Sequence, residues 1–151
     1  MEIRLYEDAD EAAVVALWLA TLRDSAPHND PIVAIRKKRA STCDLFYVAI
    51  LEGALVGTVM GGYDGHRGWI YSVAVDPGFR RRGIGSALLR HLETVLRERG
   101  CLKLNLQVRT SNLGVVAFYE SLGFATDAVI SMGKRLYPKD AVAVEGEVKS
   151  S

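Results

Sequence analysis

The sequence predicts an α/β protein with a mixed central sheet, mostly antiparallel but with one parallel pair of strands, flanked by about four helices. Three observations predict it. Residues 45–51, 55–60 and 69–75 are rich in β-branched, aromatic and other apolar side chains, and the connections between them are too short for a crossover helix, so they run antiparallel. From Ile84 the apolar positions switch to helical spacing, with Ile84, Leu88, Leu92, Val95 and Leu96 on one face, until Gly100 stops the helix. Leu102, Leu104, Leu106 and Val108 then alternate along a strand over 102–108, which is reached through a helix and so lies parallel to 69–75 by a right-handed crossover.

The other elements follow in order. Residues 3–6 alternate as a short first strand. Asp8 starts a helix with Glu11 three residues on, an acidic capping box, and Val14, Leu17, Trp18 and Leu22 form its apolar face up to about Asp24. Residues 25–31 form a loop. Asp30 caps a second helix that has Pro31 at its first position and ends around Ser41. Residues 61–68 are a glycine-rich connection into the strand at Trp69. A helix over 113–122 stops at Gly123, a last strand occupies 129–136, and beyond Pro138 the chain is small, polar and frayed. The organisation is a single domain over 1–137 with a tail from 138 to 151.

Composition narrows the class. A chain of 151 residues suits one domain, and at this size it buries roughly 70% of its unfolded surface. A hydrophobic content of 49% with 25% charged residues is that of a globular protein. A net charge of +1 argues against nucleic-acid binding by charge alone, and the run Arg36-Lys37-Lys38-Arg39 reads as a solvated helix face. Cys43 and Cys101 fit neither CxxC nor zinc spacing, so they read as free thiols and no metal is expected. The opening Met1-Glu2-Ile3-Arg4 turns acidic and is no signal peptide, and no apolar run reaches the ~20 residues of a membrane span, so a cytoplasmic protein without a membrane partner is expected.

The chemistry concentrates between the strand at 69–75 and the helix at Ile84. The strand stops at Asp76-Pro77-Gly78, and Arg80, Arg81, Arg82, Gly83, Ile84, Gly85 and Ser86 lead into the helix. A helix N-terminus offers unpaired N–H groups and partial positive charge. Glycines without Cβ let a phosphate approach, and arginines add fork-shaped donors. The stretch reads as a pyrophosphate cradle. It is not a P-loop, since no GxxxxGK is present, and Leu88 stands where a Rossmann GxGxxG needs its third glycine.

Arg80-x-x-Gly83-x-Gly85 after Val-Ala-Val-Asp-Pro resembles the acyl-CoA signature of the GNAT superfamily of N-acyltransferases. A second segment, Asn112 followed by Phe118-Tyr119 and Gly123-Phe124, is similar to that family's N-x-x-A-x-x-F-Y-x-x-x-G-F, with Val115 in place of the alanine. Read alone, this segment is an amphipathic helix with Asn112 as N-cap. Residues 57–68 and 132–136 look like the bacterial YpeA-type members. The resemblance implies a GNAT-like fold in which the parallel strands splay and the pantetheine arm of acetyl-CoA pairs with main chain at Val73, Ala74 and Val75. Its pyrophosphate would rest on residues 80–86, Asn112 would hydrogen-bond the cofactor, and Tyr119 would protonate the leaving thiolate. An acceptor amine would attack the thioester directly, without a metal.

Many relatives carry a glutamate base in the strand where this chain has Ile70, Tyr71 and Ser72, which leaves Asp64, His66 or a water as candidate bases. A lysine amine is only about 0.1% neutral near pH 7.4, whereas an α-amine is about a quarter neutral, which favours an α-amine or other low-pKa amine as acceptor. Trp18, Asn29, Asp30, Tyr63 and Asp64 are the candidate acceptor-binding residues, each with an ordinary role as cap, turn or core residue as well. The alternative is an acyl-CoA-binding regulatory module without catalysis. A homodimer fits the family.

Overall fold

Alternation and short turns produce the expected sheet. In the computed structural model, which describes residues 1–22, 29–41 and 44–138, strands β1 (Glu2–Leu5), β2 (Phe46–Leu51), β3 (Ala54–Tyr63), β4 (Gly68–Val75) and β5 (Leu104–Leu106) form one sheet in that order. The first three pairings are antiparallel and β4–β5 is parallel. Most of the expected 25–31 loop, Cys43 and the tail after Pro138 lie outside the described residues. The chain divides into two compact units, Met1–Gln107 and Val108–Ser151.

In the first unit, helices α1 (Glu11–Thr21) and α2 (Pro31–Ala40) share a core with one face of the sheet. Val14, Leu17, Trp18 and Ile35 pack there with Phe46, Val48, Met60 and Ala74. Tyr6 and Phe46 stack with ring centroids 4.5 Å apart, and Phe46 also lies 5.9 Å from Trp18. Helix α3 (Ile84–Glu98) covers the other face, and Ile84, Leu88, Leu92 and Leu96 are all buried as the spacing predicts. Glycines set how closely it lies. A Cβ on Gly57 would fall 2.9 Å from Ile84 Cγ2, and one on Gly61 would fall 2.9 Å from Leu92 Cδ2.

Several boundaries differ from expectation. The first helix is preceded by a 3-10 turn over Asp8–Asp10, and the capping pair is Glu7 with Asp10. Glu7 N–H donates to Asp10 Oδ2 at 2.8 Å, and Asp10 N–H donates to the Glu7 carbonyl at 2.8 Å. Arg4 selects this register by gripping both Asp10 oxygens at 2.8 and 3.0 Å, and its hydrogen bond holds the Asp10 carboxyl below the usual carboxylate range. The glycine-rich connection shrinks to residues 64–67, because Gly61, Gly62 and Tyr63 continue β3 and Gly68 opens β4. Glycine is tolerated in these strands where another group lies against the backbone. The basic run is not simply solvated: Arg36 pairs with Glu11, Arg39 with Asp8, and Lys38 Nζ donates to the Gly61 carbonyl.

The strand expected over 102–108 is confined to Leu104–Leu106. In the second unit, the helix expected over 113–122 is a 3-10 segment over Thr110–Val115 followed by α4 (Val116–Ser121), and Gly123 ends it at φ 95°. Residues 129–136 form no strand; Val129, Ile130, Met132 and Leu136 are 77%, 88%, 91% and 90% exposed. An apolar start such as Val129-Ile130 does not make a strand without a paired backbone ladder.

Candidate active site

The site's framework starts at the end of β4. Asp76 Oδ1 accepts from Gly78 N–H at 2.8 Å, and Phe79 N–H donates to the Asp76 carbonyl at 2.8 Å, so the chain turns sharply out of the strand. Arg82 then lies over the Phe79 ring, 5.1 Å from its centroid. Arg81 at φ 65° and Gly83 at φ 75° both take the left-handed conformation. For an arginine that conformation is strained, and such strain concentrates where backbone groups serve a ligand. Gly83 is the N-cap of α3, and its carbonyl accepts from Ala87 N–H at 3.0 Å. The first-turn N–H groups of Ile84, Gly85 and Ser86 have no acceptor within an α-helix. Arg80, Arg81, Arg82 and Gly83 are exposed around them, while Ile84 is buried and anchors the turn to the sheet. The group is suited to an anion with several oxygens.

Beside this turn, β4 runs on past the end of its β5 partner. Pairing with β5 covers Gly68–Leu104, Trp69–Asn105 and Ile70–Leu106 and stops there, while β4 runs on to Val75. On its other side β4 stays paired with β3, Val73 opposite Val59 and Val75 opposite Gly57. The stretch past Ile70, about 16 Å of strand, can take an extended chain by strand addition, with Val73, Ala74 and Val75 supplying the main-chain groups.

The second unit holds the other expected residues. Asn112 is exposed at φ −129°, ψ 43°, inside the 3-10 segment, and it is not the N-cap of α4; Val115 is. Tyr119 is half-buried between Phe118 and Phe124, with ring centroids at 5.1 and 5.7 Å in edge-on arrangements. Burial pushes its phenol above the ordinary value, so the proton is retained.

The candidate acceptor residues divide. Trp18 is 3% exposed, and its indole N–H donates to Thr58 Oγ1 at 2.8 Å inside the core. It is a core residue, as the helical spacing that placed it on the apolar face reads it. Asp30 Oδ1 accepts from Ile32 and Val33 N–H at 3.0 and 3.2 Å and is occupied as the cap of α2, and Asn29 precedes it. Asp64 Oδ1 accepts from His66 and Arg67 N–H, each at 2.8 Å. The Arg67 and His66 amides hold its carboxyl below the usual range, which suits a turn and makes it a weak base. The Tyr63 hydroxyl donates to the Gly65 carbonyl at 3.3 Å. Cys101 is half-buried, its thiol donating to the Lys103 carbonyl at 3.3 Å.

One residue escaped the sequence reading. Met60 pairs with Ser72 but Gly61 pairs with Ile70, so Tyr71 is an extra residue in β4, a bulge. The glycines opposite it were the available signal, because glycine inside a strand marks a bulge or a close approach.

Comparisons with known proteins identify the family. Residues 10–124 match the model of the acetyltransferase (GNAT) family. The chain is 47% identical over 138 residues to an acetyltransferase of Yersinia enterocolitica, covering 90% of this chain and 96% of that protein. It is 48% identical, with the same coverage, to an acetyltransferase of Pectobacterium atrosepticum. The solved structure of Ard1 from Thermoplasma volcanium superposes with a TM-score of 0.74 at 30% identity, over 84% of both chains. A ribosomal-protein alanine N-acetyltransferase from Escherichia coli does so with a TM-score of 0.71 at 26% identity, over 92% of this chain and 84% of that one. The chain belongs to the GNAT family. Within it, the protein is an N-acetyltransferase related to these bacterial enzymes. Among the described residues no helix is long and apolar enough to cross a membrane.

Proposed function

We propose that the protein transfers an acetyl group from acetyl-CoA to the α-amine of a small molecule or peptide by direct attack of the amine on the thioester. The observation that carries this reading is the β4–β5 ladder, which ends at Ile70–Leu106 while β4 continues to Val75 and turns into the glycine-bearing start of α3. Arg80, Arg81 and Arg82 with the amides of Gly83, Ile84, Gly85 and Ser86 would hold the pyrophosphate. Val73, Ala74 and Val75 would align the pantetheine arm as an added strand, and Asn112 would hydrogen-bond the cofactor. As the amine attacks, charge develops on the carbonyl oxygen; a main-chain N–H of β4 would stabilise it, a donor of the kind worth about 3 kcal/mol of barrier. Tyr119, which burial keeps protonated, would give its proton to the departing thiolate.

An α-amine is the favoured acceptor because the strands offer no strong base. Neither β3, β4 nor β5 contains an Asp or Glu, and Asp64 is engaged by two amides. An amine already about a quarter neutral near pH 7.4 needs the least help. The likeness to the ribosomal-protein alanine N-acetyltransferase, at 26% identity, supports the same choice.

Thiol release from acetyl-CoA, followed against amino-acid amides, peptides, polyamines and aminoglycosides, tests the reading. Release is expected with α-amines, and Tyr119→Phe should slow kcat by about 10²- to 10⁴-fold with unchanged acetyl-CoA affinity. Tight acetyl-CoA binding without turnover on any amine would favour a regulatory module instead.

A further inference from the structure

The bulge in β4 does more than interrupt a ladder. Gly61 faces α3, since a Cβ there would meet Leu92. Gly62, the next residue of β3, therefore lies on the opposite face of the sheet. The Tyr71 ring lies against it: a Cβ on Gly62 would sit 3.0 Å from Tyr71 Cε2 and 3.3 Å from its hydroxyl oxygen. Any other residue at position 62 would push the ring away. Tyr71 is 62% exposed, and every other residue of β4 is buried or half-buried. Trp69, paired with Gly62, and Asn105, paired with Trp69, share the face on which the ring lies. Tyr71 is also the first residue of β4 beyond the end of the β5 ladder. An extended arm laid along β4 from the α3 end must stop there, because beyond it the strand is already paired.

We propose that Tyr71 is a specificity-determining residue of the acceptor site, its ring a shelf for a flat or apolar side chain next to the acceptor's α-amino group. The inference rests on the acetyl-transfer reading and narrows its acceptor. A tyrosine, a tryptophan and an amide, on strands without a carboxylate, suit an uncharged planar or aliphatic group. They provide no ion-pair partner for the several ammonium groups of a polyamine or an aminoglycoside. The acceptor is an amino acid or peptide whose first side chain is apolar, bearing one amine to acetylate.

The test measures kcat and KM of the full chain for phenylalaninamide, leucinamide, alaninamide and spermidine, together with KM for acetyl-CoA and thermal unfolding. Wild type should favour phenylalaninamide and leucinamide over alaninamide and spermidine. Tyr71→Ala should raise KM for the favoured acceptors roughly three- to tenfold, with acetyl-CoA KM and unfolding unchanged; Tyr71→Phe should behave as wild type. Gly62→Ala, which displaces the ring, should raise acceptor KM in the wild-type background but not on top of Tyr71→Ala. Turnover with unchanged acceptor preference in Tyr71→Ala, or spermidine as the best substrate, would overturn the inference and leave acetyl transfer standing. A wild type that binds no acetyl-CoA and releases no thiol would overturn both.

Discussion

The two faces of the sheet are covered by different means. On the α3 side the contact is apolar and close, with Gly57, Gly61 and Gly68 letting Ile84, Leu88, Leu92 and Leu96 approach the strands to within about a side-chain thickness. On the side of α1 and α2 the aromatic core is supplemented by directional ties: Trp18 to Thr58 within it, Arg36 to Glu11 and Arg39 to Asp8 between the helices, Lys38 to the Gly61 carbonyl. Close apolar contact leaves few alternative positions at native packing density, and on the α3 side the Tyr47 ring also meets His91 edge-on at 4.5 Å. The difference teaches that the fold fixes most tightly the helix whose N-terminus carries the anion-binding turn. It leaves the aromatic Tyr71 shelf on the opposite face, where side chains are open to exchange.

That comparison can be broken at three strengths. Leu88, with none of its surface exposed, faces Gly57; Leu88→Ala is expected to cost about 2–5 kcal/mol in denaturant unfolding and to raise KM for acetyl-CoA by loosening the seat of Ile84. An intermediate effect belongs to Trp18→Phe, which leaves the buried Thr58 hydroxyl without its donor and should cost about 1–3 kcal/mol. Adding Thr58→Val should recover part of that loss in a double-mutant cycle, and a purely additive result would deny the hydrogen bond its role. Smallest are the exposed ion pairs. Arg36→Gln with Arg39→Gln should change stability by less than about 1 kcal/mol, and the change should shrink further at high salt.

Much of the framework is legible from periodicity. The long helix from Ile84 shows because its apolar positions recur every three or four residues and glycine ends it; Gly100, at φ 87°, is indeed left-handed. The strand at Trp69 and the glycine-marked turn are legible because each is set by neighbours close in sequence, and the parallel pairing after α3 because a strand reached through a helix runs parallel to the one before it. The departures share an opposite cause. Gly61 and Gly62 look like a loop because glycine disfavours strands, and only Leu92 on one side and the Tyr71 ring on the other explain why strand persists through them. The capping pair moved because Arg4, on a strand, selects Asp10. Residues 129–136 are expected as a last strand, yet none forms there, since a strand needs a partner ladder that its own residues do not specify.

The sequence by itself determined the long helix from Ile84, the antiparallel run of β2, β3 and β4, the family and the turn of arginines and glycines at the start of α3. Each follows from backbone preference, spacing or a short contiguous motif. Tertiary structure alone decided that Trp18 is sealed in the core by Thr58 and that the bulge lifts Tyr71 into the open. Those outcomes depend on pairing register and on groups brought together from distant parts of the chain, and a one-residue offset in register changes which face a side chain meets.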